Sequence, residues 1–460
     1  MKKSLFLMGV AAATLASCSQ EEVLDVVANH DADNAINFRA RTFKATRGVD
    51  MVAEDLESFN VFGLKGDLES YREGSSTELL TDWWGPAIEF KRSTVEGDGD
   101  ESFGSYFRSD KPMYYPTDYS PVTFLAYAPA NLPNVAPVLD GSDPEVHGNL
   151  RFTNFTVDPD INKQVDLIAD GASPVRKDDG ASVDLTFKHA LSKVFVSHAM
   201  NNDERYTYKV AGVRFGNIAM TGTGMYDPCG YGSSYSDYFK WTVEEDPTDK
   251  AEYIFSEGVK IDGLTELMTN KDTNGSFLLI PQQLQYETKD GVEDESDGVH
   301  NLVCQEGVAY VGLLIRITET NIKGEEEVVY PFAEGVKNIT ETVYGEDYAR
   351  AIFPVSTKWL AGNYIDYQVD FTNGAGFVAP GAEGLMHPWG PQPGDDDYNE
   401  DSEWWIHVEY TPILGTEIKF TVQILDWDAS YTDSSVQQGG DDYSKEVWDD
   451  GGSVEDPFRD

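Results

Sequence analysis

Residues 183–194 read VDLTFKHALSKV, and apolar and polar side chains alternate strictly through the first five of them. A period of two places one set of side chains on a hydrophobic core and the other set in water, which is typical of a half-buried β-strand. His189 continues the apolar face of Val183, Leu185 and Phe187. We therefore expect a strand of a β-sandwich here, with His189 as a hydrogen-bonded core residue and not a catalytic one.

The same kind of pattern recurs along most of the chain. The other alternating segments are 36–42, 122–126, 365–371 and 418–424. Two near-continuous apolar runs, 277–280 and 308–317, indicate strands buried on both faces. Clusters of Gly, Pro, Asp and Asn separate the segments, as the loops of a sandwich require. Only short helices are expected, near 263–270 and 338–348, so the predicted fold class is all-β.

Breaks in the pattern predict the domain organisation. The predicted segments are a signal peptide at 1–17, an acidic tether at 18–34, an N-terminal β-sandwich at 35–178, a C-terminal β-sandwich at 179–427 with a Gly-, Pro- and Asp-rich insertion at 373–403, and an acidic tail at 428–460. The tail has few apolar residues and many Asp, Gly and Ser, so we expect it to be disordered.

The N-terminus predicts an exported lipoprotein. Lys2 and Lys3 precede an apolar run that is too short to span a bilayer, which needs about 20 residues. The run ends in LASC, which resembles the lipobox of bacterial lipoproteins and implies cleavage before Cys18 and a lipid on its thiol. Several acyl chains, each contributing about 0.8 kcal/mol per buried methylene, anchor a protein stably.

An acidic pair, Glu21 and Glu22, follows the candidate lipidation site. It resembles the signal that carries lipoproteins of the Bacteroidetes to the outer face of the outer membrane. The alternative is that the pair merely begins a solvated tether. We expect a surface-exposed lipoprotein of the cell outer membrane.

Composition restricts the partners of the chain. Its 460 residues include 34 Lys and Arg against 81 Asp and Glu, which gives a formal net charge of −47. Binding to nucleic acid or to an anionic membrane surface needs basic residues that neutralise phosphates. The sequence therefore argues against nucleic acid as a partner.

Motifs for catalysis or for a cofactor are lacking in the sequence. The seven histidines show no HExxH or similar metal-binding spacing, and no nucleophile elbow, P-loop or dinucleotide fingerprint occurs in a suitable context. Acidic loops at 97–101 and 395–397 lack the spacing of an EF-hand. We predict that the protein is not an enzyme and has no cofactor and no metal.

The cysteines leave one question open. With Cys18 assigned to lipid, Cys229 and Cys304 remain, in an envelope that permits disulfides. They are candidates for a disulfide, but the sequence does not show whether they are close in space.

Several segments, taken in order, resemble the fimbrillin family of the Bacteroidetes. The most specific of them is the F-x-H-x-L-S-K-V core at 187–194. The others are YYP at 114–116, VTFLAYAP at 122–129, DLI at 166–168, LLIPQ at 278–282, WLAGNY at 359–364 and a closing strand that ends at Trp427. The resemblance covers about 35 to 427, and each motif is weak without the others.

Fimbrillins are the pilins and accessory subunits of type V pili. The resemblance implies two transthyretin-like β-sandwiches in tandem, and a protease cut after an arginine that releases the first strand. The emptied groove then accepts a strand from another subunit. The candidate first strand lies within 35–47, with Arg47 as the candidate cleavage site and Arg41 and Arg39 as alternatives. The opposing interpretation is that Arg47 is an exposed loop cation and the first strand stays in place.

Two departures from the family pattern bear on the role of the chain. The tail at 428–460 is a poor candidate for a donor strand because its apolar residues are sparse, which favours an accessory or tip-like subunit over a stalk pilin. The insertion carries Trp389 and ends at Trp404 and Trp405, which are candidate ligand contacts unless they pack over the sandwich edge.

The resemblance therefore predicts a fimbrial subunit that binds other pilus subunits by strand addition, and the outer membrane through Cys18. A host protein or glycan is a further candidate partner. The alternative function is a monomeric surface lipoprotein that binds glycan or host ligand through its insertion.

Overall fold

The structure is a computed structural model of the chain. It describes residues 35–42, 56–76, 80–93, 99–100, 104–132, 138–140, 148–177, 182–230, 237–268, 275–284, 307–332, 339–355, 357–372, 374–382, 385–386, 405–406, 410, 412–415 and 418–426.

Strands make up nearly all the regular structure of these residues. They are β1 Asn37–Thr42, β2 Ser58–Lys65, β3 Thr81–Asp82, β4 Ile88–Arg92, β5 Gly99–Asp100, β6 Gly104–Ser109, β7 Val122–Ala128, β8 Val138–Asp140, β9 Asn149–Thr156, β10 Ile168–Val175, β11 Ser182–His189, β12 Ser192–Asn201, β13 Tyr206–Ile218, β14 Thr221–Tyr226, β15 Phe239–Val243, β16 Asp249–Ile261, β17 Gly263–Glu266, β18 Phe277–Leu279, β19 Tyr310–Thr320, β20 Glu326–Tyr330, β21 Thr340–Val343, β22 Glu346–Pro354, β23 Asn363–Asp370, β24 Phe377–Val378, β25 Leu385–Met386, β26 Trp405–Ile406 and β27 Lys419–Asp426. The one α-helix in the described residues, α1, is a short turn at Leu68–Arg72 that Asp67 caps. The predicted all-β class is confirmed.

The strand predictions are confirmed where the apolar pattern was clear. The alternating segments form β1, β7, β11, β23 and β27, the run 277–280 contains β18, and the run 308–317 covers the first eight residues of β19. All three residues of β18 are buried, and so are the first six of β19, as expected for strands covered on both faces.

The two predicted short helices are wrong. Residues 263–266 form β17, which pairs antiparallel with the end of β12. Residues 340–343 and 346–354 form β21 and β22, a hairpin whose turn holds Tyr344 and Gly345 at positive φ. Two successive residues with positive φ fit a tight hairpin turn, and long-range pairing overrides the weak local preference for helix.

The chain divides into two compact units. Described residues of the first unit fall in 1–41, 53–130 and 170–187, and those of the second fall in 42–52, 131–169 and 188–460. The sequence pattern predicts a single junction near 178. The grouping differs from that expectation because β9 pairs with β14, so that residues N-terminal to the junction join strands from beyond it.

The main sheet of the first unit has the strand order β1-β11-β10-β7-β2-β4-β6-β5, and β3 pairs with β2. A further pairing of β1 with β6 closes the sheet on itself. Because β1 has a hydrogen-bonded neighbour on each side, its removal would open this sheet.

The second unit contains three larger sheets, with the orders β17-β12-β23-β27, β16-β13-β19-β22-β21 and β15-β14-β9-β8. The first two pack face to face through aromatic side chains. Phe353 of β22 lies 4.8 Å from Phe420 of β27, and Phe215 of β13 lies 5.7 Å from Tyr367 of β23, as measured between ring centroids. Trp359 is buried beside them and donates to the Tyr367 hydroxyl at 3.2 Å.

A buried carboxyl group lies on β23 of the second unit. Asp366 Oδ1 accepts from the backbone N–H of Ser197 at 3.1 Å. Its Oδ2 accepts from the Ser197 hydroxyl at 2.8 Å and from Gln368 Nε2 at 3.0 Å. Burial raises the pKa of Asp366 above its ordinary value of 3.8, against the lowering effect of these bonds and of His198.

We expect Asp366→Asn to flatten the dependence of stability on pH. Because the folded state holds the Asp366 proton more tightly than the unfolded chain does, the stabilising contribution is fully present below pH 3.8 and is lost as pH rises through the raised pKa. Urea unfolding of the second unit at a series of pH values measures the slope. The control is Asp262→Asn, at an exposed carboxylate; equal slopes for wild type and Asp366→Asn would contradict the prediction.

Candidate strand-binding groove

The first strand lies in a groove between β6 and β11 of the first unit. It pairs antiparallel with β6, with Phe38 opposite Phe107 and Ala40 opposite Ser105. At the entry to the strand, the backbone N–H of Ile36 donates to the carbonyl oxygen of Met113 at 2.7 Å. We call the site that β1 occupies the β1 groove. It is formed by β6, by β11 and by the rings of Phe59, Phe90 and Phe124.

Alternation decides which side chains of β1 enter the core. Ile36, Phe38 and Ala40 are 1%, 0% and 0% exposed, whereas Arg41 is exposed. Complete burial of a side chain as large as Ile or Phe stabilises a fold by about 1.5–3 kcal/mol. The inward face of β1 is therefore a substantial part of the core of the first unit.

Phe38 is the centre of an aromatic cluster. Its ring centroid lies 4.7 Å from Phe90, 5.2 Å from Phe124 and 6.0 Å from Phe59, with interplanar angles of 82° to 89°. Edge-to-face pairs of this kind contribute about 0.5–1.5 kcal/mol beyond the burial of area. The three rings come from β4, β7 and β2, so the pocket for Phe38 is built by strands that remain if β1 leaves.

The outward face of β1 is held by β11. Arg39 donates from Nε to Asp184 Oδ1 at 2.6 Å and from Nη2 to Asp184 Oδ2 at 2.7 Å, a two-pronged ion pair. Arg41 Nε donates to Thr186 Oγ1 at 3.1 Å. From the first contact to the second, the position on β1 advances from 39 to 41 and the position on β11 advances from 184 to 186. The two strands are therefore parallel.

Sequence reasoning missed the partners of the arginines. Asp184 and Thr186 are the polar positions of an alternating strand, where the pattern indicates only that they face outward. Each lies 145 residues from its arginine along the chain. No local signal connects residues so far apart.

His189 is fully buried, and its Nδ1 lies 3.0 Å from Asp166 Oδ2. The prediction of a hydrogen-bonded core histidine is confirmed. The sequence did not identify Asp166 as its partner, although Asp166 lies in one of the family-like segments.

Most of the other predicted site residues lie outside the part of the chain that the structure describes. Those outside the described residues are Cys18, Arg47, Cys304, Trp389 and Trp404. Cys229 is half-buried, and its backbone N–H donates to Asp227 Oδ1 at 3.0 Å. Trp405 lies in β26, where its backbone pairs with that of Met386 in β25. The disulfide, the lipidation, the cleavage and the ligand contacts all stay predictions.

The described residues hold neither a candidate membrane-spanning helix nor a candidate metal site. No helix there is long and apolar enough to cross a membrane. In the same part of the chain, no group of three or more His, Cys, Asp or Glu is placed to hold a metal ion.

Comparison with protein families gives one match that spans most of the chain. The sequence model of the fimbrillin-like family matches residues 46–389. This range includes every strand from β2 to β25, and β1 lies just before it. No curated protein matches the chain.

Solved structures of several bacterial surface proteins are similar to the chain at low identity. A fimbrial protein from Bacteroides vulgatus ATCC 8482 is 12% identical over 73% of this chain and 95% of its own, with a TM-score of 0.42. A cell-adhesion candidate from Bacteroides uniformis ATCC 8492 is 12% identical over 86% and 98%, with a TM-score of 0.35. The tip fimbrial protein Mfa3 from Porphyromonas gingivalis, solved with a C-terminal truncation, is 10% identical over 85% and 99%, with a TM-score of 0.26.

Proposed function

The chain belongs to the fimbrillin-like family, and from this premise we propose that it is a structural and adhesive subunit of a cell-surface pilus that assembles by donor-strand exchange. The observation that carries the proposal is the position of β1. It is a short strand at the start of the described chain, it has a neighbour on both edges, and its removal would leave both a groove and a hydrophobic pocket.

The energetics of the β1 groove suit strand exchange. Without β1, the facing edges of β6 and β11 would expose unpaired backbone groups, and the pocket of Phe38 would be open to water. A donor strand that restores the backbone pairing and fills the pocket satisfies both needs at once. Such a complex is expected to be tight and slow to dissociate.

Arg47 suits the proposed cut better than its alternatives. A cut after Arg39 would fall inside β1, and a cut after Arg41 would fall at its last residue pair. Either would sever a strand that is hydrogen-bonded on both sides. A cut after Arg47 lies beyond the end of β1 and frees the complete strand.

We propose that Cys18 carries the lipid that holds the precursor at the outer membrane, and that each compact unit is a transthyretin-like sandwich. The sparse apolar residues of 428–460 favour an accessory or tip-like subunit over a stalk pilin.

Cys18→Ala is expected to abolish lipid attachment, because the thiol is the only group at that position that can take the diacylglycerol. Labelling of cells with a palmitate analogue measures the loss, and fractionation then finds the variant outside the outer-membrane fraction. Cys229→Ala is the matched control and is expected to keep full labelling. Undiminished labelling of Cys18→Ala would overturn the lipoprotein assignment.

The experiment that tests the pilus proposal is the mature N-terminus and native mass of the protein taken from the cell surface. A start at Gly48, together with a ladder of SDS-resistant oligomers, is the expected result. A lipid still on Cys18 and a single monomeric mass would contradict strand exchange by this chain.

A further inference from the structure

We propose that the β1 groove selects its donor strand by an ordered set of four side chains: apolar at the Ile36 position, aromatic at Phe38, basic at Arg39 and small at Ala40. The partner is an extended segment of another pilus subunit that carries this pattern. The inference rests on the proposed strand exchange and deepens it, because it states which strands the groove accepts and names Asp184 as the residue that discriminates among them.

The inward positions differ in the size that they accept. The Phe38 position is bounded by the edges and faces of three phenylalanine rings at 4.7 to 6.0 Å, which a planar aromatic side chain fills. The Ala40 position is 0% exposed although its side chain is a single methyl group. Additional carbon atoms there would overpack the core, which costs about 1–3 kcal/mol. An aromatic residue followed two positions later by a small one therefore fixes the register of the strand.

The outward position adds a charge requirement. The Asp184 carboxylate accepts both prongs of the Arg39 guanidinium, at 2.6 and 2.7 Å. The two side chains are 39% and 22% exposed, so the pair is partly shielded from water. A donor strand with an acidic residue at this position would bring two carboxylates together, in a protein whose net charge is already −47.

The tail of this chain does not carry the pattern. Within 428–460 the only aromatic–basic pair is Phe458-Arg459, and it has Asp456 and Asp460 at the apolar and small positions. We therefore expect a peptide of this tail to bind the β1 groove much more weakly than a peptide of β1.

The test uses the full chain cut by an arginine-specific protease, and fluorescent peptides that compete for the groove. The reference peptide is residues 35–43, AINFRARTF. The charge series carries Arg39→Gln or Arg39→Asp. Its matched control is Asn37→Asp, which also adds negative charge to the outward face, but at a residue whose side chain bonds, in the described contacts, only to the backbone of Ala35 just before β1.

The expected result is a loss of affinity of about tenfold for the Arg39→Asp peptide, a smaller loss for Arg39→Gln, and a change within about twofold for Asn37→Asp. On the Asp184→Arg protein the order should reverse, so that the Arg39→Asp peptide binds better than the reference. The preference should weaken at high salt, because the pair is partly exposed.

Two results would overturn the inference, and they are distinguishable. If the reference peptide binds but the charge series binds equally well to the wild-type protein, the selection by Asp184 is wrong and strand exchange stands. If no cut occurs, or the cut chain binds no peptide at all, both the inference and the proposed function fail. The series on the wild-type protein decides the question even if Asp184→Arg does not fold.

Discussion

Arg47→Ala is expected to leave the protein at its precursor length and without SDS-resistant oligomers at the cell surface. The variant keeps β1, whose last residue is Thr42, and therefore keeps the β1 groove filled. A filled groove offers no unpaired edge to a donor strand, so assembly onto this subunit is blocked and not merely slowed. Immunoblotting of unboiled samples and sequencing of the N-terminus measure the two effects.

The matched control is Arg41→Gln, which removes an exposed arginine of β1 that is one of the alternative cleavage sites. We expect this variant to be processed at Gly48 and to form oligomers like the wild type. If Arg41→Gln blocks processing and Arg47→Ala does not, the cut lies at Arg41. If both variants form oligomers while they keep their precursor length, removal of the first strand is not required, and the alternative of a retained strand is favoured.

The alternation of apolar and polar residues predicted strands, and which of their side chains are buried, from neighbouring positions alone. The alternation of 183–187 gave a strand with the correct face buried, because a period of two depends only on neighbours in the chain. In 365–371 the apolar face is buried as expected, but Asp366 on the opposite face is buried as well. His189 was placed in the core on the same basis. The resemblance to the family rested on the order of the short motifs along the chain.

The sequence did not predict which strands pair when they are far apart in the chain. β9 joins β14 across the expected junction, and residues 263–266 become a strand because the end of β12 offers them an edge. The sequence did not identify the ion-pair partner of Arg39 either, since any of the 81 Asp and Glu side chains could have been that partner. These contacts depend on which strands meet, and a single sequence does not record that choice.

Phe38→Ala is expected to destabilise the first unit of the unprocessed chain by about 3–5 kcal/mol, the range typical for truncating a fully buried phenylalanine. The ring is 0% exposed, and its removal leaves a cavity among Phe59, Phe90 and Phe124, which lie on three different strands. Hydrogen exchange measured by mass spectrometry resolves the effect by segment. We expect faster exchange in β6 and β11, which flank β1, and unchanged exchange in β12 and β23 of the second unit.

Two controls separate loss of the aromatic anchor from general damage. Asn37→Ala alters the neighbouring outward residue and should change stability by less than about 1 kcal/mol. Phe215→Ala removes a buried ring of the second unit and should speed exchange in β12 and β23 instead. If Phe38→Ala leaves β6 and β11 as protected as in the wild type, Phe38 does not hold β1 in its groove. The case for a donor strand with an aromatic residue at that position would then fail, because an aromatic side chain in the pocket would contribute little to binding.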